Sequence, residues 1–97
     1  MTFALSLHAR ALAEIEDARA GYAVVGHGES FLAEIDVVFD AVRAMPMRFP
    51  TIHGAIHRAL LRRYPFSVFF RIRRAAEHVV ILAVLPQRSD PSKWPAR

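Results

Sequence analysis

Seven arginines in the second half of this 97-residue chain, Arg58, Arg62, Arg63, Arg71, Arg73, Arg74 and Arg88, are the residues best suited by type and spacing to do chemistry. Planar guanidinium forks hold carboxylates and phosphates bidentately, so a surface that gathers several of them binds anions. If residues 56–64 and the runs after them are adjacent strands, Arg58, Arg62 and Arg88 gather on one rim of the sheet. The competing account is a set of solvated strand edges, where charge blocks unwanted pairing. Twelve of the thirteen basic residues are Arg and only Lys93 is Lys, a bias that genome composition explains as readily as anion recognition.

The other chemical constellations are weak. His53 and His57 have the spacing of a helical metal pair, but in one extended strand four residues separate them by about 13 Å, too far for a shared ion. No carboxylate lies within several residues of them. No metal site is expected. His8, His27 and His78 are scattered singly, as surface or capping histidines are. Gly26 and Gly28 lack the third glycine or the Gly-Lys-Ser continuation of a nucleotide-binding loop, and no serine sits in a nucleophile elbow. With no cysteine there is neither a disulfide nor a thiol nucleophile.

The elements that must position these side chains are legible from periodicity. Thr2 to Leu7 alternates, with Phe3, Leu5 and Leu7 on one face, and reads as a short strand. From about Ala9, Leu12, Ile15, Ala18 and Tyr22 recur every three or four residues, which predicts an amphipathic helix. Gly26 and Gly28 break it. A second helix is expected from about Ser30, a candidate N-cap, with Phe31, Ile35, Val38 and Val42 as its stripe, Leu32 and Phe39 widening it, and Pro46 and Pro50 ending it. Ile56 to Tyr64 reads as an outer strand, with Pro65 marking a turn. Phe66, Val68, Phe70 and Ile72 alternate with Ser67, Phe69, Arg71 and Arg73, and Val79 to Leu85 is apolar throughout, as in a central strand covered on both faces. The expectation is a single α+β domain over residues 1–97, in the order β-α-α-β-β-β. Its antiparallel meander carries a helical hairpin on one face, and its first strand lies beside its last.

Composition supports a globular chain. Hydrophobic residues make up 54% and charged residues 23%, and a chain of this length can bury roughly 65% of its surface. No stretch approaches the roughly 18 apolar residues of a membrane span, and Met1 to Leu7 has no basic flank, so a cytoplasmic protein is expected. The net charge of +4 hides an asymmetry. Residues 1–40 hold two Arg against seven Asp and Glu, net −5, whereas residues 41–97 hold eleven basic residues against Glu77 and Asp90, net +9.

Residues 56–97 resemble the closing half of the RelE/ParE family of bacterial toxins, in particular its ParE-like plasmid-stabilisation branch. That branch carries an Arg-rich strand, a Phe-Pro-Tyr turn, a strand ending in an aromatic residue, an Ala-Val-Leu-His strand, an Arg-Asp-Pro segment and a terminal Trp and Arg. Here the pattern is met by Arg58, Arg62 and Arg63, then Tyr64, Pro65 and Phe66, then Phe70, then Ala83, Val84 and Leu85, then Asp90, Pro91, Trp94 and Arg97. The upstream strand and two helices fit the family order, so the resemblance spans essentially the whole chain. It departs at Pro86, where the family often has His, at Ser89, which replaces an Arg, and at Phe66 and Phe70, which replace tyrosines.

The resemblance implies the toxin of a type II toxin–antitoxin pair, growth-inhibiting and without a cofactor. The departures remove side chains that would move protons in RNA cleavage, leaving Tyr64, His53 and His57 as substitutes. Inhibition of DNA gyrase is therefore the favoured action. A ribosome-dependent mRNA endonuclease and a non-toxic, toxin-derived binding scaffold are the alternatives. The expected partner is an antitoxin with an acidic amphipathic tail. Its carboxylates would meet Arg58, Arg62, Arg63, Arg71, Arg73 or Arg88, with apolar side chains beside Phe69. Trp94 is expected to pack and fix the C-terminal segment.

Overall fold

The computed structural model describes residues 2–88. Its elements follow the order β1 (Ala4–Leu7), α1 (Ala9–Ala23), α2 (Gly28–Ala44), a 3-10 turn (Pro46–Arg48), β2 (Thr51–His53), β3 (Ile56–Leu60), β4 (Phe66–Arg73) and β5 (His78–Pro86). The five strands form one sheet in the order β1-β5-β4-β3-β2. This is the anticipated α+β architecture, with β1 beside β5. The β1–β5 pair is parallel, because the two helices carry the chain back before the meander begins, and the remaining pairs are antiparallel. Asp90, Pro91, Trp94 and Arg97, and the packing expected of Trp94, lie outside the described residues.

Local chemistry accounts for the helix ends. The His8 ring Nδ1 accepts the Arg10 N–H at 3.1 Å and caps α1. At the other end Gly26, at φ +81°, lets the His27 and Gly26 amides turn back onto the carbonyls of Tyr22 and Ala23, a Schellman closure. α2 begins at Gly28, two residues before the expected Ser30 cap. A Cβ at Gly28 would sit 3.1 Å from the Ala23 Cβ and 3.2 Å from the Arg19 carbonyl, so any side chain here would press α1 back by a few tenths of an ångström where the hairpin closes. Ser30 instead lies in the first turn, where its hydroxyl meets that of Tyr64.

Both helices cover one face of the sheet. Ala11, Ile15, Phe31, Ile35 and Val42 pack there against Val68, Phe70, Val79, Ile81 and Val84, with the rings of Tyr22 and Phe31 in contact with each other and each with those of Tyr64 and Phe66. The buried stripe of α1 runs through Ala11 and not Leu12, which is 61% exposed. α1 has apolar residues on two sides, and the small side chain is the one that fits beneath a closely packed neighbour. The other face of the sheet holds a second cluster, Ile56, Phe69, Leu82 and Ala83, contributed among the described residues by strands. One bulge reconciles β5 with both clusters. Phe69 pairs with Ala83 but Phe70 with Ile81, so Leu82 is the extra residue and the inward parity of β5 changes there.

The expected strand Ile56–Tyr64 stops at Leu60. Leu61 donates its N–H to the Phe66 carbonyl and Phe66 donates to the Tyr64 carbonyl, folding residues 61–65 into a tight loop that buries Leu61 and Tyr64 and leaves Arg62 and Arg63 exposed. β2 was not anticipated from the sequence. Gly54, at φ +54°, turns it directly into β3, so His53 and His57 lie on two paired strands and not on one.

Candidate functional site

α2, the Pro46–Arg48 turn, β3 and the loop after it enclose a groove of about 670 Å³. Ala33, Val37 and Ala41 stand on α2 at successive four-residue spacings, a stripe about 12 Å long, and with Val38, Phe49 and Leu60 they form an apolar floor. Val37 and Leu60 are 66% and 51% exposed, so this floor is open to a partner. Arg48, Arg62 and Arg63 stand along the rim. The Arg48 guanidinium lies 5.3 Å from the centre of the Phe49 ring. Among the described residues the one salt bridge is between Arg19 and Glu16, so the rim arginines have no ion-pair partner there.

The loop is held to α2 by Glu34. Its carboxylate accepts the N–H of Arg62 at 3.1 Å and that of Arg63 at 2.8 and 3.0 Å. The carboxylate therefore engages two consecutive main-chain amides even though cationic side chains flank it.

The other arginines named from sequence do not converge with these. Arg58 pairs across from Phe69, and Arg71 and Arg73 follow Phe69 at two-residue spacing, so all three belong to the face of the sheet that is helix-free among the described residues, opposite α1 and α2. Arg74 is in the β4–β5 turn. Arg88 lines a smaller hollow of about 440 Å³ with Pro65, Phe66, Pro86 and Gln87. The Gln87 side chain donates to the carbonyls of Leu61 and Phe66, which places this hollow against the same loop. The single rim of Arg58, Arg62 and Arg88 is thus replaced by separate sites, because Arg62 left the strand. Phe69 is wholly buried and supports its face without offering surface. Arg48 escaped the sequence reading. The available signal was its place between Pro46 and Pro50, just after an amphipathic helix.

Of the side chains that remained as proton carriers, Tyr64 and His57 are engaged otherwise, whereas His53 is exposed at the end of β2. The hydroxyl of Tyr64, a member of the core cluster, bonds to that of half-buried Ser30. Nearby Tyr22 has its phenol pKa pushed up, first by burial and then by the neighbouring Tyr64. The His57 ring stacks on Phe70 at 5.2 Å, and its Nδ1 is 2.7 Å from the Phe49 carbonyl oxygen. His78 is bonded through Nε2 to the Ser6 hydroxyl at 2.9 Å. No group of three or more His, Cys, Asp or Glu with metal-binding geometry occurs among the described residues, and no helix there is long and apolar enough to cross a membrane.

A fold of this kind, two helices packed on one face of a five-stranded sheet with a parallel first strand, has solved counterparts. One is a chain of the chromosomal ParDE TA system from P. aeruginosa, 20% identical, with a TM-score of 0.72, covering 88% of this chain and 96% of that one. Another is a chain of the toxin–antitoxin complex RelBE2 from Mycobacterium tuberculosis, also 20% identical, with a TM-score of 0.59, covering 89% of this chain and 99% of that one. The chain has the RelE/ParE toxin fold. No protein-family model and no curated protein matches the sequence.

Proposed function

We propose that the chain is the toxin of a type II toxin–antitoxin pair, held inactive by an antitoxin whose acidic amphipathic segment lies in the α2–β3 groove. The observation that carries this reading is the groove itself, an exposed apolar floor edged by three guanidiniums that have no ion-pair partner among the described residues, in a fold shared with chains of a ParDE system and a RelBE2 toxin–antitoxin complex. Exposed ion pairs contribute only about 0 to 1 kcal/mol each, so charge alone would hold a partner weakly. Burying side chains such as Val37 and Leu60 contributes about 1 to 2 kcal/mol each and supplies the anchors, while the arginines select acidic segments and speed association.

Gyrase arrest is the action we favour over RNA cleavage. General acid–base cleavage of RNA needs a side chain free to take and return a proton at the scissile phosphate. Tyr64 is committed to Ser30 and His57 to Phe49 and Phe70, which leaves the exposed His53 as the one candidate of the three for such a transfer. A toxin that acts by binding needs none of the three. Expression of the chain without its antitoxin tests both steps. The expected result is growth arrest with DNA-damage signalling before translation fails, inhibition of gyrase supercoiling by the purified protein, and intact ribosome-bound mRNA. Codon-specific mRNA cuts with unaffected gyrase would make the chain an endonuclease instead, and no arrest would leave a binding scaffold.

A further inference from the structure

We propose that the Arg62–Arg63 turn is a carboxylate receptor whose resident ligand is Glu34, and that the partner's acidic segment docks by exchanging one of its own carboxylates for it. The proposal deepens the reading of the groove as an antitoxin site and rests on it. Two consecutive N–H groups converge on one carboxylate through three hydrogen bonds of 2.8 to 3.1 Å, the geometry of a main-chain anion site. The ligand is supplied from α2, far away in sequence, and it is only half-buried, so a second carboxylate can reach the same amides. Glu34, Arg62 and Arg63 all line the groove that Arg48 also edges.

An internal ligand lowers the apparent affinity for an external one by the fraction of time the receptor is filled. Glu34 therefore competes with the partner, and its removal strengthens carboxylate binding at the turn. A purely structural tie has the opposite signature, because removing it would loosen the loop and weaken binding. On exchange, the turn passes from α2 to the partner, so docking in the groove and release of the loop from its own helix become one event.

The experiment titrates the isotope-labelled full chain with succinate against chloride at equal ionic strength, following the amide resonances of Arg62 and Arg63. Glu34→Ala should bind with about tenfold higher apparent affinity than the unsubstituted chain, as expected for a receptor filled about nine-tenths of the time. Glu34→Gln, which keeps an acceptor oxygen, should fall between them. Asp36→Asn, an equal charge change at an exposed position of the same helix, should behave like the unsubstituted chain. Unmoved amide resonances in both folded Glu34 variants would overturn the exchange, as would an Asp36 variant that matches Glu34→Ala. Loss of folding in both Glu34 variants would make Glu34 a structural tie and overturn it too. The titration uses neither antitoxin nor gyrase, so a chain that proves harmless to cells leaves its outcome untouched.

Discussion

Two basic surfaces of this molecule are built from the same residue types and differ in one respect. On the helix-free face, Arg58, Arg71 and Arg73 surround Phe69, which is 0% exposed, and Ile56, Leu82 and Ala83 beside it are buried as well. In the groove, Arg48, Arg62 and Arg63 surround a floor in which Val37 and Leu60 are mostly open. Guanidiniums over a closed apolar layer attract anions broadly and hold them loosely. Guanidiniums over an open one can select a partner by charge and keep it by burial. Counting arginines along the chain cannot separate the two cases, whereas the accessibility of the residues between them can.

The largest effect that sharpens this contrast is on stability. Phe69→Ala empties a fully enclosed position and should cost about 3 to 5 kcal/mol, lowering Tm by roughly 12 to 40 °C in a domain of this size. Leu60→Ala, at the open floor, should change stability by about 0.5 kcal/mol or less. Thermal unfolding followed by circular dichroism reads both, and equal losses would mean that the two apolar layers are equally closed. The next effect is on affinity. Val37→Asp places a carboxylate on the open floor of the groove and should weaken antitoxin binding by at least about 2 kcal/mol, some thirtyfold, with Tm retained. Calorimetric titration with the cognate antitoxin would show this, and unchanged binding would move the interface off the groove.

Charge reversal should give a smaller and kinetically distinct effect. Arg62→Glu with Arg63→Glu should slow antitoxin association severalfold and flatten its dependence on salt, because steering acts over a Debye length of about 10 Å at 0.1 M. Arg71→Glu with Arg73→Glu carries the same change of charge on the helix-free face and should slow association less. Stopped-flow rates at two ionic strengths compare the pairs. A greater loss from Arg71 and Arg73 would restore the basic sheet face as the docking surface.

The fold was legible where the main apolar face kept a clear period. The alternation of Phe66, Val68, Phe70 and Ile72 and the stripe Phe31, Ile35, Val38 and Val42 identify β4 and α2, although Phe69 and Val37 add apolar side chains on a second side of each. Legibility failed where two environments overlapped. The unbroken run Val79 to Leu85 has no period from which the bulge at Leu82 could be read, since both faces of β5 are apolar. α1 has apolar residues on two sides, so periodicity favoured the larger Leu12 over the buried Ala11. β2 is only three residues long and is defined by its pairing with β3. The groove was illegible for a different reason. Its lining comes from four segments, and what joins them is a carboxylate on α2 reaching amides beyond β3, a contact that leaves no trace in local spacing. The arginines were visible as chemistry, but their division between two surfaces follows from where β3 ends.

The smallest expected effect tests the acidic half of the molecule as the rival interface. Glu16 and Asp17 lie on the exposed side of α1, and Glu16 accepts a hydrogen bond from Arg19 Nε at 2.9 Å. That hydrogen bond, followed by the Arg19 charge, holds the Glu16 carboxyl below its ordinary pKa. A lowered carboxyl pKa means that any stabilisation from the pair is present above the ordinary carboxylate range and disappears as pH falls through the folded value. The pair is solvated, so water and salt screen most of it. Glu16→Gln combined with Asp17→Asn should therefore leave Tm near neutral pH essentially where it was, and should leave antitoxin association unslowed, because an acidic tail gains nothing from an acidic helix. A modest acceleration is the expected sign, since two like charges have been removed. If binding instead collapses while the fold persists, the partner docks on the helical hairpin, and the open floor at Val37 and Leu60 serves some other contact.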